Sequence, residues 1–145
     1  MIKFKPREVN VIDKNRVIMV VGETPGRPKK NSTNEYVWME QRAGSFLRKL
    51  VKDCQNLILT NSYNYYCITQ EERTKAQAIG KIELIALIEQ YKPVKIVALG
   101  NYAYDTLMSL QVKLNVIKMY HPSFILRFAY DTSKYKRKLL ELLTT

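Results

Sequence analysis

Four short β-branched runs are each followed by a cluster of polar, turn-forming residues, and three of those clusters carry a group able to do chemistry. Val17-Ile18-Met19-Val20-Val21 leads into Gly22-Glu23-Thr24-Pro25-Gly26, and Leu57-Ile58-Leu59-Thr60 into Asn61-Ser62-Tyr63-Asn64-Tyr65-Tyr66. Val94-Lys95-Ile96-Val97-Ala98-Leu99 leads into Gly100-Asn101, and Asn115-Val116-Ile117-Lys118-Met119 into Tyr120-His121-Pro122-Ser123-Phe124. Glu23 is a carboxylate in a tight loop whose amides can approach a ligand, although Gly and Pro also make a turn there with no further role. Asn61 offers an amide that donates and accepts at once, which suits the edge of a pyrimidine; an asparagine also closes turns unaided. His121, the only histidine, either occupies a surface turn before proline or stabilises negative charge building on a leaving group. Trp38, in a polar stretch, reads equally as a lid over the first loop and as a base-stacking platform. Tyr63, Tyr65 and Tyr66 are packing residues or, beside a basic surface, base stackers. Cys54 falls on an apolar helix face and reads as core.

Other chemistries lack their residues. Two cysteines and one histidine do not supply a disulfide framework, a four-thiolate cluster or a zinc site, so no metal and no cofactor is expected. There is no Walker loop and no Gly-x-Ser-x-Gly elbow. No apolar run approaches the ~20 residues of a membrane span. The first eight residues contain no apolar core of a secretory signal. A cytoplasmic, monomeric protein is the expectation.

Charge narrows the choice of partner. Lys and Arg number 24 against 13 Asp and Glu, a formal net charge of +11 over 145 residues, with a pI near 9.7. Such a balance suits polyanions, nucleic acid before an anionic membrane; a merely soluble, Lys-rich surface has the same composition. From Val112 to Thr145 there are seven Lys or Arg residues and two acids. Arg27-Pro28-Lys29-Lys30 forms a second basic cluster. Neither block reads as an amphipathic helix with a strong apolar face, which argues against a membrane surface.

The elements that must position these groups follow from periodicity. The first three β-branched runs are nearly continuous in apolar residues, as strands buried on both faces of a parallel sheet are. Phe46, Leu47, Leu50, Val51 and Cys54 mark one face of a helix. Thr69-Gln70-Glu71-Glu72 is a capping box opening a helix that runs toward Tyr91 and stops at Lys92-Pro93. Gly80 inside it costs about 1 kcal/mol relative to Ala, which calls for a close neighbour. Further helices are expected over 102–110 and 133–143. The alternation predicts one α/β domain over residues 1–145, a three-layer α/β/α sandwich around a four-stranded, mainly parallel sheet. Ligands of such sheets bind beyond the carboxyl ends of the strands, where the four polar clusters fall.

Taken in order, Gly22-Glu23-Thr24-Pro25-Gly26, Arg42-Ala43-Gly44-Ser45-Phe46-Leu47, Leu59-Thr60-Asn61, Lys95-Ile96-Val97-Ala98-Leu99-Gly100 and His121-Pro122-Ser123-Phe124-Ile125-Leu126-Arg127 resemble the uracil-DNA glycosylase superfamily. The resemblance runs from about Val17 to Arg127. It implies hydrolysis of the N-glycosidic bond of uracil or another modified base in DNA, with the base flipped into a pocket beyond the strands. By that resemblance Glu23 directs water, Asn61 reads the base edge, and His121 stabilises the departing base anion. Thr24, Gly26 and Trp38 belong to the base pocket. Phe124, Ile125 or Leu126 wedges into the duplex, and Ser123, Arg127, Arg27, Lys29 and Lys30 hold DNA. Thr24 stands where the best-known uracil enzymes carry Asp, and Gly26 where they carry a methyl-excluding Tyr. Trp38 and Met39 lie near the position of the stacking Phe. A non-catalytic DNA-binding protein retaining this fold and basic groove is the alternative.

Overall fold

The computed structural model describes residues 1–38, 42–128 and 131–144. Strands form where the β-branched runs predict them: β3 (Ile18–Gly22), β4 (Leu57–Asn61), β6 (Lys95–Leu99) and β7 (Val116–Met119). Every residue of β3 and β4 is buried. That is why their sequences show no polar alternation. β3 pairs in parallel with β4 and β6, and β6 with β7.

The sheet has five strands rather than four. β2 (Arg7–Val9) lies antiparallel on β4, with Arg7 opposite Leu59, and gives the order β2-β4-β3-β6-β7. Three residues, two of them charged, suit an edge strand and leave no apolar run to read. A separate ribbon joins β1 (Ile2–Lys3) to β5 (Tyr65–Tyr66).

Helices cover both faces of the sheet. Ile18, Val20, Leu57, Leu59, Val97 and Leu99 pack with residues of α1 (Arg42–Val51), α4 (Pro122–Arg127) and α5 (Thr132–Leu143). The alternate residues Met19, Val21, Ile58, Ile96 and Ala98 pack with α2 (Gln70–Tyr91) and α3 (Asn101–Ser109). The capping box at α2 is formed: Glu72 N–H donates to Thr69 Oγ1 at 3.1 Å, and Thr69 N–H to Glu72 Oε1 at 3.2 Å. Gly80 has the close neighbour its cost implies, because a Cβ there would collide with Tyr63 and the Ser62 carbonyl.

Three helical expectations are corrected. α1 ends at Val51, so Cys54 is buried in the core just beyond the helix rather than on it. The His-Pro-Ser segment is not a loop: Pro122 at the first position, where its missing N–H costs nothing, starts the six-residue α4. α5 is amphipathic, with Tyr135, Leu139 and Leu143 buried at four-residue spacing. Its apolar face is occupied by the core, which leaves only its basic face for a partner. Among the described residues no helix is long and apolar enough to cross a membrane.

Candidate active site

Because β3, β4, β6 and β7 are parallel, their carboxyl ends share one edge, and the four polar clusters meet there. Gly22 lies opposite Asn61 in the ladder. Ser62 ties the two loops together, its N–H donating to the Gly22 and Glu23 carbonyls at 2.9 and 3.0 Å and its hydroxyl to Gly22 O at 3.0 Å. Gly100 N–H donates to Met119 O at 2.8 Å, bringing the end of β7 beside that of β6. Asn64 shapes the turn after β4: its Oδ1 accepts from Asn61 N–H at 3.1 Å, and its Nδ2 donates to Thr60 Oγ1 at 3.0 Å.

A cavity of about 220 Å³ opens at this edge, walled by Thr24, Pro25, Gly26, Trp38, Asn61, His121 and Ser123 together with Phe4, Asn34, Tyr36 and Gly44. That is smaller than the roughly 300–1,000 Å³ of pockets for drug-sized ligands and suits one planar ring.

Trp38 holds the cavity's shape. Its backbone is in the left-handed region at φ 63° and lies on Gly44, where a Cβ would collide with it. Its indole occupies the space left by the absent side chain of Gly22. Its Nε1–H donates to Thr60 O at 3.0 Å, and its ring stacks on His121 at 5.4 Å and 26°. Gly22→Ala should displace the indole and lower stability by about 1–3 kcal/mol. Fluorescence of this single tryptophan during urea unfolding checks both effects; an unchanged native spectrum and midpoint would refute the seat.

His121 is a neutral donor. It caps α4, and its Nδ1 accepts from the Ser123 amide at 3.1 Å, with Ser123 Oγ at 2.7 Å. An amide can only donate, so Nδ1 is unprotonated and the neutral ring carries its proton on Nε2. Nε2 has no hydrogen-bond partner among the described residues. Burial lowers the His121 pKa to about 4, consistent with the indole over its face. The folded value lies below the ordinary 6.5, so unfolded chains take up the proton more readily between those values. The stabilisation is intact above pH 6.5 and is lost as pH falls toward 4. In His121→Gln this part of the acid destabilisation should vanish from denaturant midpoints measured across the window. An identical pH slope in both proteins would contradict it.

Asn61 is buried at 4% exposure, and its side-chain amide makes no hydrogen bond among the described residues. Its Oδ1 lies so near Gly22 that a Cβ there would collide with it. The amide opens onto the cavity that Asn61 lines, so a ligand or water there can satisfy it.

A family model described as the uracil DNA glycosylase superfamily matches residues 9–144. The chain belongs to the uracil DNA glycosylase superfamily. Among curated proteins, none matches the chain.

The superfamily's expected site residues divide in the structure. Thr24, Gly26, Trp38, Asn61, His121 and Ser123 wall the cavity; Glu23, Arg27, Lys29, Lys30, Phe124, Leu126 and Arg127 do not. Glu23 rests its carboxylate against Gly100 at the start of α3, where a Cβ would collide with it. Burial raises its pKa above the usual carboxylate value. Arg27, Lys29, Lys30 and Arg127 are exposed, and Leu126 is partly buried. Ile125 is only 3% exposed in the core beneath α4. It is therefore no wedge: forming a helix turns its side chain inward. Met39 lies outside the described residues.

Phe4, Asn34 and Tyr36 belong to the wall without having been expected there. Long-range pairing brings them in: Phe4 N–H donates to Asn64 O at 2.7 Å, Lys5 N–H to Glu35 O at 2.7 Å, and Val37 N–H to Lys5 O at 3.0 Å. The alternation Ile2-Lys3-Phe4-Lys5 was the one available signal, a strand-like pattern with Phe4 in register with Ile2.

Proposed function

We propose that this member of the superfamily is a DNA glycosylase that hydrolyses the N-glycosidic bond of uracil or another modified base flipped into the cavity. The observation that carries the reading is the Asn61 amide and the His121 Nε2–H, neither with a hydrogen-bond partner among the described residues, on the wall of one ring-sized cavity. In the reaction, the oxygen of water bonds to C1′ of the deoxyribose as the C1′–N bond breaks. Its electron pair leaves with the base, and one proton of the water passes to a base or to solvent. Asn61 pairs with the edge of the flipped base. His121 donates Nε2–H toward the base as it becomes anionic, and keeps its proton because imidazole is a far weaker acid than imidazolium. Trp38 provides an aromatic wall, and Thr24 and Gly26 close the first loop around the base. Protein groups and water suffice, with no metal or cofactor.

Glu23 is assigned to direct the water. From its position on Gly100 it must either swing toward the cavity or meet water along the Gly100 edge. DNA is held by Arg27, Lys29, Lys30, Ser123 and Arg127, with Phe124 and Leu126 beside the opened stack. We take the chain to be a single-domain, monomeric, cytoplasmic α/β/α sandwich of three layers.

The packing of Glu23 on Gly100, off the cavity wall, favours a second reading: a non-catalytic DNA-binding protein that retains the fold. Glu23→Gln separates the two. For a glycosylase it should lower excision at least about 100-fold while DNA affinity, read by anisotropy, stays unchanged. In the wild type, activity should fall with decreasing pH as Glu23 takes up a proton, at a pH above the ordinary carboxylate range; the glutamine variant should lose this limb. Equal excision by both proteins would remove Glu23 from the mechanism.

A further inference from the structure

Among the helices, positive charge is concentrated on one face of the sheet. α1, α4 and α5 together hold eight Lys or Arg residues and one acid, Glu141, a net +7. α2 and α3, on the opposite face of the sheet, hold three Lys or Arg and five acids, a net −2. This net +7 forms a layer beside the cavity, since α1 supplies Ala43 and Gly44 to its wall and α4, capped by His121, supplies Ser123; strands and loops carry the rest of the chain's charge.

A ledge of aromatic rings crosses the same layer. Tyr120 stacks on Phe124 at 5.0 Å and 21°, and Phe124 packs on Phe128 at 4.8 Å and 50°. Tyr120 is 62% and Phe128 56% exposed. The Arg127 guanidinium lies over the Phe128 ring at 5.5 Å. The Tyr135 hydroxyl of α5 donates to Tyr120 O at 2.5 Å, tying the ledge to the basic helix. Tyr120 adjoins His121, and Phe124 adjoins Ser123, so the ledge begins one residue from the cavity wall on both sides. Large apolar rings exposed among cations are the pairing that binds single-stranded nucleic acid: each base stacks on a ring while Lys and Arg follow the phosphates. Three rings packed together are too broad to enter a step between base pairs about 3.4 Å apart, as a slim wedge does.

We propose that the ledge of Tyr120, Phe124 and Phe128, with the basic layer of α1, α4 and α5, binds an unpaired DNA strand. The nucleobase next to the flipped one stacks on the exposed rings, and the protein prefers single-stranded to duplex DNA. This deepens the glycosylase reading and rests on it for the position of the flipped base.

The test is binding to a labelled, uracil-free thymine oligonucleotide about a dozen nucleotides long, alone and annealed to its complement, so that no excision is needed. Wild-type protein should bind the single strand more tightly than the duplex. Phe128→Ala and, separately, Tyr120→Ala should each weaken single-strand binding about 10-fold, the loss of roughly one base stack. Duplex binding should change much less, and the salt slope should stay the same. Phe128→Tyr should restore single-strand affinity. Replacing Lys136, Arg137 and Lys138 together by alanine should lower the salt slope instead. Unchanged single-strand affinity in both folded ring variants, or equal losses on both substrates, would overturn the proposal. Excision of uracil with ring-independent binding would sink the ledge and leave the glycosylase reading standing; ring-dependent binding without excision would do the reverse.

Discussion

His121→Ala should lower base excision by about two to three orders of magnitude, the usual cost of removing one preorganised donor from a site of developing negative charge. The histidine has no second task in the reaction as drawn: it neither attacks C1′ nor takes the proton from water. Its value lies in being neutral with its proton on Nε2, which the Ser123 amide enforces by occupying Nδ1 at 3.1 Å. Because its pKa is lowered to about 4, the donor is present at every pH from 5 to 8. His121 should therefore add no limb to the rate profile there. Single-turnover rates on a uracil-containing oligonucleotide check the size of the loss. Binding of the same strand should remain within about 3-fold, because the interaction strengthens in the transition state. A loss of affinity matching the loss of rate would make His121 a binding residue and contradict its assigned role.

Asn61→Ala should cost about 100-fold or more in excision through loss of the contact that orients the base, because sites built to hydrogen-bond a ligand lose heavily when that pairing fails. The side chain lies at the end of β4, opposite Gly22 in the ladder, and its amide lines the cavity with no hydrogen-bond partner among the described residues. Removing it therefore frees no other protein group. Folding stability should fall by less than about 1 kcal/mol, since no internal side-chain hydrogen bond is lost. Excision rate and urea midpoint, measured on one preparation, distinguish this from damage to the fold. A large stability loss with a proportionate loss of rate would show Asn61 to be structural.

Much of the fold was legible because its signals are local. β3, β4 and β6 are continuous apolar runs, and Thr69 with Glu72 forms the cap that their spacing predicts. The positions of Asn61 at the carboxyl end of β4 and of His121 beyond that of β7 followed from the parallel sheet alone. What escaped reading depends on contacts between distant segments. β2 is three residues recognisable only by its pairing with β4. Phe4 reaches the cavity wall through its bond to Asn64, 60 positions along the chain. The seat of Trp38 exists because Gly22 and Gly44, in two other elements, lack side chains, and no local pattern marks that. α4 was hidden by its length of six residues, too few for a helical period to show. With it went the inward turn of Ile125 and the stacking of Tyr120, Phe124 and Phe128.

The central claim is that this cavity receives a flipped base and releases it. Direct detection of free uracil by mass spectrometry tests it, using a single-stranded oligonucleotide with one uracil and the wild-type protein alongside His121→Ala. The account predicts stoichiometric free uracil and an alkali-labile abasic strand from the wild type, with release slowed about 100-fold or more in the variant. Salt-sensitive binding of the same strand with no uracil released by either protein would contradict it.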